Sequence, residues 1–501
     1  MTVVSAFARA TALESERVLP RSIDDAAITR LVCAPLMRSA GRIWWIAFLI
    51  CSAGTLATLY GVYTLFTRGV GIWGINTSVV WAYAIANYVW WIGIGNAGTL
   101  ISSLLLLTRQ SWRASISRFA EAMTLFAVAI AGLFPIFHLG RPLYFYWLAP
   151  YPATMQVWPQ WRSAIIWDFW AITSYLIFSI IFWYVGALPD LATLRDRSRG
   201  GWQKIYGAFA LGWRGSARHW RHYHKLQITL AALATPLVCS VHSIVGLDFA
   251  ASLMPGWREP IFPPYFVVGA MYSGFAVVVM LAALISRNMG LHTLITPRHF
   301  EAMAKIMLMA AIVMGLSYAS EWFTAWHGGN SADRDLVVFE FTGAYAKLYW
   351  AMLIGNVVTP QILWLPSMRT NLPVLIAVSV GILIGMWLER ILIVWNTLSH
   401  SFLPSMDRLF LPTFWDWLFL FGPIFFFCWL FLLFCRATPV VPMYDVMELR
   451  RRELRHERKR RPARDRRIPG CGRSLCSGAQ YPDARLRSGR RIDALPGRGA
   501  R

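Results

Sequence analysis

Acidic side chains are scarce in this 501-residue chain, with 25 Asp and Glu against 48 Lys and Arg, and charged residues make up only 15% of the whole. Cysteine is sparse too. The seven (Cys33, Cys51, Cys239, Cys428, Cys435, Cys471 and Cys476) form no C-x-x-C pair, and four sit in or beside apolar runs. That pattern argues against a disulfide framework, a zinc site or an iron–sulfur cluster in this chain. The first 30 residues carry Glu14, Glu16, Asp24 and Asp25 and hold no apolar stretch, so no secretory signal peptide is expected there. Nor does any interior apolar segment carry the paired mid-depth histidines that clamp haems in a cytochrome b.

Apolar side chains are abundant: 57% of residues are hydrophobic and 15% aromatic, with 26 Trp. Ten apolar runs are long enough to cross a bilayer, at about 43–66, 78–107, 117–138, 164–187, 225–248, 264–286, 300–325, 341–363, 373–397 and 412–435. The fold class expected is all-α, a polytopic membrane protein with about ten transmembrane helices. The net charge of +23 is not a nucleic-acid footprint, because its placement alternates loop by loop. One set of loops holds Arg109, Arg113, Arg118, eight Lys or Arg from Arg195 to Lys225, and Arg287, Arg298, Lys305 and Arg369. The other set holds only Arg68, Arg141, Arg162, Arg258, Arg334 and Arg408. The positive-inside rule then places both termini in the cytoplasm.

The organisation follows from those runs. Residues 1–40 form a cytoplasmic arm, 41–75 the first span, 76–250 a first four-helix bundle, 260–400 a second, and 410–436 the last span. Residues 446–501 form a basic tail read as disordered, with nothing ordered past about Leu454. The Arg-, Gly- and Pro-rich part from about Arg461 is expected to be dispensable or a product of translation in an unintended frame.

The most informative run is Ile116–Pro142. From Arg118 to His138 a helix would rise ~30 Å, the thickness of a bilayer core. That leaves Arg118 and Glu121 at one surface and a titratable imidazole at the other. Asp168 lies one turn into the next span, and His242 and Asp248 end the one after. All four groups are therefore expected at one level, lining a functional site. The second span reads NYVWWIGIGNAGTL. Its Gly93-x-Gly95-x-x-Gly98 copies the dinucleotide fingerprint as a string, but inside a membrane run small residues mean close helix contact. Asn87 and Asn96 read equally as interhelical glue or as ligand contacts. The aromatic loop after Arg141 suits a membrane interface. His219, His222 and His224 lie in a basic loop that reads as facing lipid headgroups.

A repeat is visible. Arg118-Phe119-Ala120-Glu121-Ala122-Met123 is echoed by Arg298-His299-Phe300-Glu301-Ala302-Met303, 180 residues on, and both runs leave the same side of the membrane. Parallel duplication of two related four-helix bundles is the reading. Arg118–Glu121 and Arg298–Glu301 are expected to be matching i,i+3 ion pairs. The second bundle spreads Glu321, Glu340, Lys347, Glu389 and Arg390 through depth, as either a proton relay or a structural network.

With the repeat, Phe137-His138-Leu139-Gly140-Arg141-Pro142 and Trp167-Asp168-Phe169-Trp170 in view, the chain resembles the NrfD/polysulfide-reductase membrane-subunit family over roughly 40–440. Its nearest likeness there is to the quinol-oxidising integral subunit of bacterial alternative complex III. That resemblance implies a subunit active only within a complex. It would bind menaquinol near the periplasmic face and hold no haem or iron–sulfur cluster itself. Its partners would be an iron–sulfur subunit, a multihaem cytochrome c subunit, a second NrfD-like subunit and small membrane subunits. His138 and Asp168 take the catalytic positions, with Asn87, Asn96, Arg141, His242 and Asp248 as quinol-binding candidates. The family often has His where this chain has Asn96. Alternative readings are a membrane anchor of a polysulfide- or nitrite-type reductase and a transporter-like proton channel.

Overall fold

Apolar length decides the architecture. In the computed structural model, residues 18–20, 22–149, 160–400, 402 and 404–460 are described, and among them the regular structure is helical throughout. The chain divides into a unit ending at Arg452, which holds every contact discussed below, and a second from Glu453. Nine helices are long and apolar enough to cross a membrane among the described residues, and the chain is a multi-pass membrane protein.

The helices used here are α1 (Asp25–Met37), α2 (Arg42–Arg68), α3 (Ala82–Leu107), α4 (Ser117–Ala131), α5 (Phe134–Phe137), α6 (Ala164–Arg197), α7 (Gly201–Phe209) and α8 (Ala217–Ala250). They continue with α9 (Phe262–Asn288), α10 (Pro297–His327), α11 (Ser331–Thr342), α12 (Ala346–Leu353), α13 (Leu372–Ser399), α14 (Phe414–Ala437) and α15 (Met443–Arg460). Helices α3, α4, α6 and α8 pack as one group; α9, α10, α12 and α13 pack as another. The groups meet along α3 and α9. Helix α2 packs mainly on α14 and turns Ile43, Ile46, Leu49 and Leu56 outward, as a lipid-facing helix would.

The glycine-rich run of α3 is a packing face. A Cβ at Gly98 would lie 2.0 Å from the Ala120 carbonyl of α4, and one at Gly95 would lie 2.6 Å from the Val128 side chain. Only hydrogen at those positions lets the two backbones approach. The Thr124 hydroxyl of α4 then donates to the Gly95 carbonyl at 2.5 Å.

Four expectations are corrected. The third span is not one straight helix: it breaks after Ala131 and resumes as α5, where Pro135 sits in the first turn. The eighth apolar run is no single α-helix either. It is α12 continued by a π-turn (Ile354–Val358) and a 3₁₀ stretch (Thr359–Trp364) containing Pro360. The segment after 446 is helical up to Arg460, because Met443, Val446 and Leu449 form a buried i,i+3 stripe. Asp445 pairs with Arg113 at 2.7 Å, and Arg450 and Arg451 both grip Asp25 of α1 at 2.9 Å. Residues 461–501, with the expectations about them, lie outside the described residues.

The fourth concerns the repeat pairs, which are unequal. Arg118 lies 3.8 Å from Glu121, but its nearer acid is Asp190 of α6 at 3.1 Å. It also donates to the carbonyls of Trp183 and Gly186, in the turn loosened by Pro189. Glu301 turns instead to Lys305, at 2.7 Å and half exposed. One sequence motif thus serves a buried tie in the first group and a surface i,i+4 pair in the second.

Candidate functional site

The first group gathers a polar cluster where α5 ends, α6 begins and α8 ends. His138 caps the short helix α5 and is buried. The ring of Tyr88, from α3, lies 6.4 Å from the His138 ring. Asp168, four residues into α6, faces both the Tyr88 hydroxyl and Asp248, which sits two residues from the end of α8. Antiparallel α6 and α8 bring those two carboxyl groups to one depth.

The cluster is incompletely satisfied. Among the described residues, neither His138 nitrogen has a hydrogen-bond partner, and the same is true of Asp168 Oδ1 and Asp248 Oδ1. No Lys or Arg pairs with either carboxylate among those residues. Buried polar atoms are costly unless partnered, so this cluster is a candidate site for a ligand that hydrogen-bonds. The aromatic walls supplied by Tyr88, Phe134 and Phe137 suit a flat apolar ring.

The other candidates are placed differently. Among the described residues no hydrogen bond joins His138 to Asp168; the carboxyl that faces Asp168 is Asp248. His242 is not level with this cluster. It lies six residues, about 9 Å of helix rise, before Asp248. There its Nδ1 makes a short hydrogen bond with Asn96 of α3, and both residues are buried. Asn87 is interhelical glue: it donates to the Phe419 carbonyl of α14 at 3.2 Å and accepts from Trp387 of α13 at 3.0 Å. Arg141 is exposed at the start of a 3₁₀ turn.

The second group holds a contrasting cluster around Glu389. Tyr318 donates to Glu389 Oε2, and Asn356 donates to the same oxygen at 3.1 Å and to Tyr318 at 2.8 Å. Arg390 Nη1 lies 3.2 Å from Glu389 Oε1, with its guanidinium 3.9 Å above the Phe266 ring. The π-turn aims Asn356 inward, and the Tyr272 hydroxyl donates to its carbonyl at 2.9 Å. Glu321 and Glu340 are electrostatic neighbours, and Glu321 also feels Glu389. Asn396 of α13 donates to Glu340 Oε1 at 3.5 Å. Lys347 is exposed and stands apart from this network.

Tyr88, Tyr318 and Asn356 escaped the reading of the sequence. One signal for Tyr318 was present: it lies 180 residues after His138, the spacing of the repeat.

Comparison with known proteins bears on this arrangement. Residues 73–400 match the family described as polysulphide reductase, NrfD. The chain belongs to that family. A putative membrane subunit of dimethyl sulfoxide reductase from Halobacterium salinarum is 25% identical over 370 residues, covering 70% of this chain and 79% of that protein. A selenate reductase subunit from Mesobacillus selenatarsenatis is 22% identical over 246 residues, covering 47% of this chain and 55% of that protein. The matched NrfD region includes both polar clusters but neither α2 nor α14.

Proposed function

We propose that this chain is the quinol-oxidising membrane subunit of a respiratory or photosynthetic electron-transfer complex, with menaquinol as substrate. The observation that carries the reading is the buried, incompletely partnered cluster of His138, Asp168, Asp248 and Tyr88. A quinol that yields two electrons must release two protons, each needing an acceptor within hydrogen-bond reach of a hydroxyl. The His138 nitrogens accept one. The Asp168–Asp248 pair accepts the other, since two adjacent carboxyls hold a shared proton readily. The Tyr88 hydroxyl, itself without a hydrogen-bond partner among the described residues, stands beside the pair. The two electrons leave to redox groups in an attached subunit, and the chain itself supplies binding, orientation and proton acceptance.

Both relatives bear names of reductase subunits, which favours a complex where quinol electrons feed an attached iron–sulfur subunit. The motifs around His138 and Asp168 favour the alternative complex III type, with a multihaem cytochrome c subunit and a second NrfD-like subunit beside it. Loop charge puts the Arg118 end in the cytoplasm and the His138 end at the periplasmic face, so protons would be released there. Glu321, Glu340 and Glu389 are the groups through which proton translocation would run.

Purification of the intact complex tests the assignment. Co-purification of iron–sulfur and haem absorbance with extractable menaquinone is expected. A stable chain that brings down neither redox subunits nor quinone would end the reading.

A further inference from the structure

The connection between α6 and α8 carries a surface that quinol chemistry does not use. Helix α6 ends at Arg197 and α8 begins at Ala217, and both are membrane spans, so residues 198–216 are held at the membrane surface. Helix α7 lies within this connection and is fixed at its flanks. The Tyr206 hydroxyl, on its buried side, donates to the Ala437 carbonyl at the end of α14 at 2.9 Å. The Tyr184 hydroxyl of α6 donates to the Phe209 carbonyl at 2.6 Å, and Arg195 donates to the Trp213 carbonyl at 3.0 Å.

That clamping decides which face is left over. Trp202, Ile205 and Phe209 follow 3 and 4 residues apart, on one side of the helix, and are 57%, 46% and 56% exposed. Leu211, just beyond, is 69% exposed. The same connection and the helix ends beside it carry Arg197, Arg199, Lys204, Arg214, Arg218, Arg221 and Lys225, all exposed. None forms an ion pair with a carboxylate among the described residues; Asp196 is taken by Arg195 at 2.8 Å. An apolar stripe with a Trp, bordered by unpaired cations at a membrane surface, has the chemistry of an interfacial helix on an anionic leaflet.

We propose that α7 and its flanking basic residues form a binding site for an anionic glycerophospholipid. Its phosphodiester sits among Arg199, Lys204 and Arg214, and its acyl chains cover Trp202, Ile205 and Phe209. The site is independent of the quinol reading. It ties the leaflet to the ends of α6 and α14 through Tyr184 and Tyr206, so lipid occupancy should stabilise the fold.

The test uses the intact complex in mild detergent, with phosphatidylglycerol, phosphatidylcholine and inorganic phosphate as probes. Phosphatidylglycerol should be retained through purification and should raise the thermal midpoint, whereas phosphatidylcholine and phosphate should do neither. A Lys204→Gln, Arg214→Gln variant and a Trp202→Ser, Phe209→Ser variant should each retain at least threefold less phosphatidylglycerol. Each should also lose most of the lipid-dependent midpoint shift while keeping its lipid-free midpoint. Should the apolar variant fail to fold, the charge variant gives the same readout. Equal retention of both phospholipids, or unchanged retention in the charge variant, would overturn the proposal. So would loss of a protein partner at unchanged lipid content, because the surface would then belong to that partner.

Discussion

The two helix groups share a repeat spacing but balance the charge of their buried polar clusters differently. At matching positions the first group carries His138 and the second Tyr318. Tyr318 joins a network in which it and Asn356 donate to Glu389 and Arg390 pairs with that carboxylate, with Glu389 Oε1, Asn356 Oδ1 and Arg390 Nη1 left without a hydrogen-bond partner among the described residues. His138 has no such network; it faces Tyr88 and leaves both nitrogens without a partner among the described residues. The second cluster contains a cation, and the first contains two facing carboxyls without one. A cluster with its own cation and internal hydrogen bonds contributes rigidity. An acidic one without a cation is the better candidate for a ligand that hydrogen-bonds.

The largest effect expected is on the Glu389 cluster. Arg390→Met leaves the buried Glu389 without its cation, and removal of one partner from a buried pair costs about 3–5 kcal/mol. Thermal unfolding in detergent should show a large drop in midpoint or failure to assemble. Unchanged stability would mean that the Arg390–Glu389 pair does not hold the fold.

Next in size is the His138 cluster. His138→Ala or Asp168→Asn should lower quinol oxidation by ~100-fold or more while the complex assembles normally, as loss of a proton acceptor does. Tyr318→Phe should leave turnover within a few-fold. The comparison breaks if these outcomes are exchanged.

A smaller effect sharpens the role of the second group. If Glu321 carries protons, Glu321→Gln lowers the proton-to-electron ratio with turnover largely kept. An unchanged ratio would leave this cluster a purely structural one.

The smallest effect lies outside both clusters, at the tie between α1 and α15. Burial raises the Asp25 carboxyl, but Arg451 and Arg450 outweigh it and hold it below its usual value. A depressed carboxyl stabilises the fold above its unfolded pKa of about 3.9, and that contribution fades as pH falls through the folded value. Asp25→Asn should therefore lower the thermal midpoint slightly at pH 7, and wild type and variant should converge in acid. A difference that persists in acid would show that Asp25 acts other than through its charge.

Much of this was legible along the chain. Apolar run length gave nearly every span, because a helix in lipid must satisfy its own backbone over a fixed thickness. The 180-residue echo set His138 and Tyr318 at equivalent places in the repeat. His138, Asp168 and Asp248 were recognisable at one end of their helices, since depth follows directly from distance along a helix.

Which residues face one another was decided only by the tertiary structure. Helices that are apolar all round carry no stripe to reveal their rotation, so sequence gives depth but not direction. Hence Asp168 meets Asp248 and Tyr88 rather than His138, His242 pairs with Asn96 deeper in the membrane, and Asn87 is locked between α13 and α14. The π-turn that turns Asn356 toward Glu389 is likewise set by the close contact of the Gly355 and Gly385 backbones, a property of two helices meeting and of neither alone.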